Sequence, residues 1–251
     1  MTTYSLDRTP PLLPGEPPTR DMRAYEAVVL RRCAMYRKAF RGVAISYPAE
    51  ALCLYPVARW IRSHGVTVDV GSVDELRRAG AAGILVPQIV MHCNGVTTPV
   101  LHCAVNIGVG RFVVDSMNQV SSLATGMGRM RQVVVDTSAS DAEHLAEAVA
   151  EQRRLNLIGF HHRLTEADDA VEAIGAIMAR MWLYRREHPV VLTRISLAGF
   201  DGGDDPRRLR HIAAMIDDAV EDACIRFHCP RSSVTIAPTR TALLLDAELA
   251  G

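Results

Sequence analysis

The sequence predicts an α/β protein built as a single (β/α)8 TIM barrel. Eight short runs rich in β-branched residues recur along the chain, and segments of helical character separate them. The length of 251 residues fits one barrel domain of this kind. A doubly wound open sheet is the main alternative. That fold usually has a glycine-rich turn after its first strand, and Tyr47-Pro-Ala-Glu50 is not such a turn.

The elements follow one another in a regular order. Residues 1–21 contain five prolines and predict an extended arm outside the barrel domain, which we place at residues 22–251. A charged amphipathic helix is predicted over residues 22–40. The predicted strands are 43–47, 66–70, 88–92, 111–115, 131–136, 155–161, 190–197 and 233–237. Helices are predicted between them, among them 72–82, 97–106, 141–154, 166–187 and 206–227.

Two of these helices begin with the spacing of a capping box. Ser72 is followed three residues later by Glu75, and Ser140 by Glu143. A serine at the N-cap accepts from the backbone three residues on, and the glutamate bonds back to the N-cap. We therefore expect Ser72 and Ser140 to cap their helices.

Composition excludes several classes of protein. Hydrophobic residues make up 49% and charged residues 22%, and the formal net charge is zero, so we expect neither nucleic acid nor a membrane as partner. Six cysteines at irregular spacing and a beginning without an apolar signal segment predict a reduced, cytoplasmic protein. Residues 79–110 lack charge, but prolines, glycines and asparagines interrupt them, which argues against a membrane span.

Ionisable residues concentrate at the predicted carboxyl ends of the strands, where barrel enzymes place their active sites. These residues are Tyr47, Glu50, Asp69, His92, Asp115, Asp136, His161, His162, Asp201 and Arg240. Carboxylates beside imidazoles suit general acid–base chemistry, so the catalytic candidates are Glu50, His92, His161 and Asp201. We expect no metal, because the His-Cys pairs at 92–93, 102–103 and 228–229 fall in different parts of the predicted barrel.

Several motifs together resemble one family. They are Ile45-Ser-Tyr47, the segment His64–Leu76, Ala81-Ala-Gly83, Ile89–Asn94 and Val113–Ser116, followed more weakly by Gly159–Leu164, Leu197–Gly203 and Ala237–Arg240. Their order and spacing over residues 38–125 resemble the N-terminal half of the diaminopimelate/ornithine decarboxylase family, the alanine-racemase-like barrels that bind pyridoxal phosphate. The resemblance implies a group IV decarboxylase N-terminal barrel without the C-terminal β-domain, and a place in amino-acid metabolism.

The resemblance assigns cofactor contacts to positions at which this chain departs from the family. Glu50 stands at the position of the Schiff-base lysine, and Lys38, the only lysine of the chain, falls on the predicted outer helix. A carboxylate cannot form an imine. The remaining cofactor positions are Arg163, Gly199, Gly202, Gly203, Ala237 and Arg240. We therefore expect a degenerate site that binds no cofactor.

The other departures from the family's residues would also weaken cofactor binding. By the resemblance, Arg163 replaces a histidine that stacks on the cofactor ring, and Ala237 replaces a glutamate that pairs with the pyridine nitrogen. The glycine-rich loop gains Phe200 and Asp201, which would place a bulky ring and a negative charge near the phosphate. Arg240 is retained.

Four hypotheses of function remain open. The first is a non-catalytic partner or regulator, as a homodimer or in a complex with a decarboxylase paralogue; the uncharged helix 97–106 would be an interface. The second is a small-molecule binder or a PLP-independent enzyme that uses the Glu/His/Asp rim. The third is an amino-acid decarboxylase-related PLP protein, and the fourth is a decaying gene product.

Overall fold

A computed structural model describes residues 20–125 and 129–244. Eight parallel strands form a closed barrel in sequence order, with β8 paired to β1. The strands are β1 Ala44–Pro48, β2 Thr67–Val70, β3 Ile89–His92, β4 Arg111–Val114, β5 Arg131–Asp136, β6 Leu155–Arg163, β7 Arg194–Phe200 and β8 Ser233–Pro238. The predicted (β/α)8 barrel is confirmed. Most of the predicted N-terminal arm, residues 1–19, lies outside the described residues.

Helices surround the barrel. They are α1 Arg20–Ala39, α2 Tyr55–His64, α3 Val73–Ala81, α4 Thr98–Ile107, α5 Met117–Ala124, α6 Ala142–Glu151, α7 Ala170–Glu187, α8 Pro206–Phe227 and α9 Arg240–Leu243. Short 3₁₀ turns lie at Ala49–Cys53, Val86–Gln88 and Ala167–Asp169. Within the described ranges, no helix combines the length and the apolar character that crossing a bilayer requires.

The seventh strand begins four residues later than its β-branched run predicts. Val190 and Val191 are exposed and precede the strand, which begins at Arg194, where pairing with Gly159 and Ser233 starts. Composition identifies a run that suits a strand, but only the neighbouring strands decide where its ladder begins.

One of the two predicted capping boxes forms in part, and the other is wrong. Ser72 Oγ accepts from the Glu75 amide at 3.2 Å, while the Glu75 carboxylate bonds to the Gly71 amide instead of the N-cap. The cap of α6 is Asp141, whose Oδ1 accepts from the His144 amide at 3.1 Å. A carboxylate one residue further on therefore takes the position that we predicted for Ser140.

The strands have an apolar outer face and a more polar inner face. Large side chains such as Phe112, Phe160 and Leu197 are buried in the main core. A separate small cluster consists of Val90, Val113 and Val134. Buried polar side chains also occur along the strands: Ser46, His161, Ser196 and Thr235. Because side chains alternate along a strand and Val90 lies two residues before His92, this division assigns the main core to the helix layer, and the polar set and the valine cluster to the barrel interior.

An aromatic cluster fixes α1 and the loop after β7. Phe200 packs edge-on against Phe40 and Tyr36, with ring centroids 5.3 and 6.1 Å apart. The Tyr36 hydroxyl accepts from the Gly202 amide at 3.0 Å. The Phe200 ring therefore lies against α1, and our expectation that it would crowd an anion site is wrong.

Gly159 lies so close to the backbone of β7 that the strand pair leaves no room for a Cβ atom at this position. A Cβ atom here would lie 1.7 Å from the carbonyl oxygen of Arg194 on β7. We expect Gly159→Ala to destabilise the protein by about 1–3 kcal/mol, because the two strands must separate. Gly175→Ala is the matched control: no atom lies within 4 Å of its added methyl, and alanine in a helix should stabilise by about 0.5–1 kcal/mol. Urea unfolding of both variants measures the difference, and equal midpoints would contradict the proposed clash.

Candidate functional site

A cavity of about 300 Å³ opens at the carboxyl ends of the strands. Its ionisable lining residues are Glu50, Asp69, Glu75, His92, Arg163 and Arg240. Small or apolar residues complete the wall, among them Pro48, Gly71, Gly199 and Ala237. This cavity, which we call the mouth, lies where the fold is expected to place an active site.

Asp69 and His92 form the centre of the mouth. They end two neighbouring strands, and the Asp69 Oδ2 atom lies 3.5 Å from the His92 Nε2 atom. The other carboxylate oxygen accepts a hydrogen bond from the Ser46 hydroxyl on β1. Only 16% of the Asp69 side chain and 23% of the His92 side chain are exposed. The pair is thus a largely desolvated ion pair with one hydrogen bond to support it.

His161 extends this pair into the barrel. Its ring meets that of His92 edge-on, with centroids 5.0 Å apart. Its Nδ1 atom lies 3.0 Å from the Ser196 hydroxyl of β7, and the residue is 1% exposed. Together these contacts form the inner chain, which we define as Ser46, Asp69, His92, His161 and Ser196.

The inner chain assigns different protonation states to its members. Burial raises the pKa of Asp69, but His92 and Ser46 together outweigh burial and leave this pKa below its usual 3.8. Burial lowers the pKa of His92, and Asp69 outweighs that effect, so this pKa lies above 6.5. Burial and the neighbouring His92 lower the pKa of His161 to about 4. At neutral pH the chain holds a carboxylate, a readily protonated imidazole and a neutral one.

The structure unites three of the four catalytic candidates. Glu50 and His92 line the mouth, and His161 lies behind His92. The fourth candidate, Asp201, does not join them: it is exposed, it is not among the residues that line the mouth, and its carboxylate accepts from the Gly203 amide at 3.1 Å. Because β7 carries an irregularity between Ala198 and Phe200, counting residues along the strand does not locate Asp201.

Several predicted rim residues serve the scaffold. The Tyr47 hydroxyl donates to the Cys33 carbonyl at 2.8 Å. Asp115 accepts from the Gln119 side chain at 2.6 Å. His162 lies on the strand face opposite His161 and contacts the Thr137 hydroxyl at 2.7 Å. Asp136 accepts from the Ser138 amide at 2.9 Å.

Sequence reasoning missed Ser46, Ser196 and Glu75. Ser46 and Ser196 stand in the middle of apolar strands, and a polar residue in such a run was an available signal of an inward-facing side chain. Glu75 was assigned only to a helix cap, yet its carboxylate also lines the mouth. The mouth therefore has three carboxylates from Glu50, Asp69 and Glu75.

The glycine-rich loop after β7 uses its amides within the chain. The Gly202 amide donates to Tyr36, and the Gly203 amide donates to Asp201. Gly199 lines the mouth at a φ of +76°, and a Cβ here would lie 2.7 Å from the Leu164 carbonyl oxygen. Gly199 of β7 therefore forms part of the wall of the mouth, and the loop that follows the strand has two fewer amide donors for an anion.

The residues of the mouth do not fit pyridoxal phosphate attached through an imine. The lining includes Glu50 and two further carboxylates, while Lys38 lies on α1 and lines a different cavity of about 520 Å³ between α1 and α8. The guanidinium groups of Arg163 and Arg240 do suit a phosphate or a carboxylate. Ala237 offers a methyl group to the cavity and no charge.

Comparisons with known proteins identify the family. Residues 26–154, slightly more than half of the chain, match the family profile described as "Pyridoxal-dependent decarboxylase, pyridoxal binding domain". Diaminopimelate decarboxylase of Mycobacterium bovis is 27% identical over 251 aligned residues, which cover 83% of this chain and 56% of that protein. The homologue of Mycobacterium leprae is 32% identical over 123 residues, 47% of this chain and 26% of that protein. The chain thus spans about half the length of the curated relatives that it matches.

Solved structures share the fold. Diaminopimelate decarboxylase of M. jannaschii has a TM-score of 0.74 at 16% identity, and covers 87% of this chain and 60% of its own. Lysine/ornithine decarboxylase from Vibrio vulnificus, complexed with cadaverine, has a TM-score of 0.71 at 17% identity, with coverages of 85% and 61%. Our expectation that no cofactor belongs to this barrel is wrong, since the matched profile is that of a pyridoxal-binding domain. The chain belongs to the pyridoxal-dependent decarboxylase family, and its barrel is that family's pyridoxal-binding domain.

Proposed function

We propose that this barrel is a member of its family that does not decarboxylate through a lysine imine and that acts instead as a partner of another protein. One observation carries the proposal: the only lysine of the chain is on α1, whereas the mouth presents Glu50. A carboxylate carries no amine that could form an imine with the aldehyde of the cofactor. Any pyridoxal phosphate in the mouth is therefore held without a covalent bond to the barrel.

The charge of the mouth supports this proposal. Glu50, Asp69 and Glu75 bring three carboxylates to a cavity that also holds Arg163 and Arg240. Like charges in a confined space raise the free energy of an anionic ligand unless cations compensate. The exposed guanidinium groups of Arg163 and Arg240 supply this compensation, so an anionic group in the mouth pairs with these two side chains and not with a lysine.

The outer surface of α4 and α5 supports a role in protein binding. Neither helix contains a charged residue, and hydrogen bonds join them between Thr98 and Ser122 and between His102 and Thr125. We call their exposed surface the neutral face; its residues are Pro99, Cys103, Asn106, Ile107, Met117, Asn118 and Ser121. The side chains of Ile107 and Met117 are 48% and 44% exposed. Protein interfaces are depleted of charge at their centres, as this face is.

A second candidate function is the binding of a small anionic ligand in the mouth. The inner chain favours it, because Asp69 and His92 form a partly desolvated acid–base pair next to two arginines. A carboxylate or phosphate group would pair with Arg163 and Arg240, and His92 would exchange a proton with the ligand.

The proposal that the mouth lacks an imine-forming lysine predicts what happens when an amine is introduced there. Glu50→Lys should create a site where pyridoxal phosphate is trapped by borohydride at residue 50, because an amine then stands at the end of β1. Peptide mass spectrometry after reduction measures the adduct, with Lys38→Arg as the background to remove the native lysine. Glu75→Lys is the positional control, since it places an amine in the same cavity on a helix.

The wild-type chain should give no adduct in the mouth and no decarboxylation of diaminopimelate, lysine or ornithine. Turnover of one of these amino acids by the unmodified chain with pyridoxal phosphate would contradict the proposal. Such turnover would establish the chain as a decarboxylase.

The neutral face predicts an effect of surface charge on association. Ile107→Arg and Met117→Arg should each weaken a complex with a decarboxylase paralogue from the same genome, because an arginine would be buried without a partner. Leu183→Arg is the control, since Leu183 is 52% exposed on α7 outside the neutral face. Light scattering after size-exclusion chromatography measures the complex. A strict monomer that binds no paralogue would contradict the partner function.

The inner chain predicts a pH dependence. Asp69 should contribute its full stability above about pH 3.8 and lose it as the pH falls through its lowered pKa. His92 should contribute its full stability below about pH 6.5 and lose it as the pH rises through its raised pKa. Asp69→Asn removes the anion, so the His92 pKa should fall below 6.5 in an NMR titration. Asp115→Asn is the control, because Asp115 bonds to Gln119. An unchanged His92 titration would exclude the pairing.

A further inference from the structure

A group of metal-ligating side chains lies outside the mouth, between α6 and the end of α7. One ligand atom from each of Glu147, Glu187 and His188 lies within 4.8 Å of the other two. Glu147 also faces a second imidazole. Its Oε2 atom is 3.6 Å from His144 Nδ1, and its Oε1 atom is 3.9 Å from His188 Nε2. We call these four residues the α6–α7 cluster.

Two local geometries produce this convergence. His144 and Glu147 are three residues apart and share one face of α6. Glu187 is the last residue of α7, and His188 is its C-cap in an extended conformation. Their ligand atoms come within 4.8 Å of each other and of Glu147. Between them the two helix segments supply two carboxylates and two imidazoles.

In the part of the chain that the structure describes, no arginine forms a salt bridge with either carboxylate of the α6–α7 cluster. Among the described residues, both salt-bridge partners of Glu147 are histidines, and the neighbouring Arg180 pairs with Glu143 at 2.9 Å. Two carboxylates whose oxygens come within 4.8 Å repel each other. A bound cation would convert this repulsion into attraction.

Tyr184 provides an independent sign of a missing ligand. The residue is 6% exposed, and its hydroxyl has no hydrogen-bond partner among the described residues. Its ring stacks on His188 with centroids 4.3 Å apart. A buried hydroxyl on a ring stacked against His188 suits a hydrogen bond to a metal ligand or to metal-bound water.

We propose that the α6–α7 cluster binds a zinc-type divalent cation through Glu147, Glu187 and His188, with His144 as the fourth ligand. Imidazole together with carboxylate suits Zn²⁺ in tetrahedral geometry better than Ca²⁺ or Mg²⁺, which take oxygen ligands. Zinc at about 2.1 Å from each ligand needs ligand atoms roughly 3.4 Å apart. Glu147, Glu187 and His188 must therefore draw together by up to about 1.4 Å. His144, which lies outside the group that meets within 4.8 Å, must turn from Glu147 toward the other two ligands, and partly exposed rotamers allow both movements.

The bound ion ties the end of α7 to α6. His188 lies where the chain leaves α7 toward β7, and its side chain is 32% exposed. The ion would therefore restrain the segment between α7 and β7. The inference is independent of the function of the mouth.

Zinc titration of the full chain, free of any histidine tag, tests the proposal. Isothermal titration calorimetry with ZnCl₂ should show one site. Glu147→Gln or His188→Ala should each weaken it by at least about tenfold, since even changing a residue that only hydrogen-bonds to a metal ligand costs about 10–100-fold. Glu151→Gln is the matched control, because Glu151 lies on the same helix outside the cluster. Saturating zinc should raise the melting temperature of the wild type by about 5–10 °C.

Two further measurements test the proposed zinc site. In the cobalt-substituted protein, visible ligand-field bands should be present in the wild type and in Glu151→Gln and absent in Glu147→Gln. The proposal is overturned if the wild type binds no zinc below 100-fold molar excess. It is also overturned if binding survives the combined Glu147→Gln and His188→Ala change, because the ion would then be held elsewhere, such as at the free cysteines.

Discussion

The buried carboxylate of Asp69 is the constraint on which the barrel interior depends. A charge removed from water is tolerated only where a counter-charge and hydrogen bonds replace its hydration. Here His92 supplies the counter-charge and Ser46 the hydrogen bond, while His161 and Ser196 continue the chain across the barrel. These residues come from β1, β2, β3, β6 and β7. A slip in the register of any one of these strands would leave a polar group unpaired.

The apolar layer outside the strands stabilises the barrel and so offsets the free-energy cost of its polar interior. Rings such as Phe112 and Phe160 are buried between the barrel and its helices, so the strands are stabilised from the outside and their inner faces are free for chemistry. The cluster of Tyr36, Phe40 and Phe200 extends this layer to α1 and fixes the glycine-rich loop at the mouth. The family's barrel is therefore maintained while the charge at the mouth differs from that expected of a lysine-dependent site.

Predictions from sequence were most successful where the signal was local and repeated. The eight β-branched runs and the motifs of residues 38–125 were sufficient for the fold and for the family. They were less successful where one residue decides the geometry. Asp201 turns to the Gly203 amide, and Asp141 caps α6 one residue after Ser140. In both cases the competing partner was adjacent in sequence, and only the backbone conformation selects between them.

The sequence by itself determined the alternation of strands and helices. It also determined that position 50 carries a carboxylate and that Lys38 is the only lysine amine available for imine chemistry. Chemical identity is a property of each residue and needs no neighbours. The tertiary structure alone decided which ionisable groups meet. Asp69 and His92 become a pair because parallel strands β2 and β3 end side by side. Glu147 meets His188 because α6 and α7 are packed against adjacent parts of the barrel. Such pairings depend on register and packing over long separations, which no local pattern encodes.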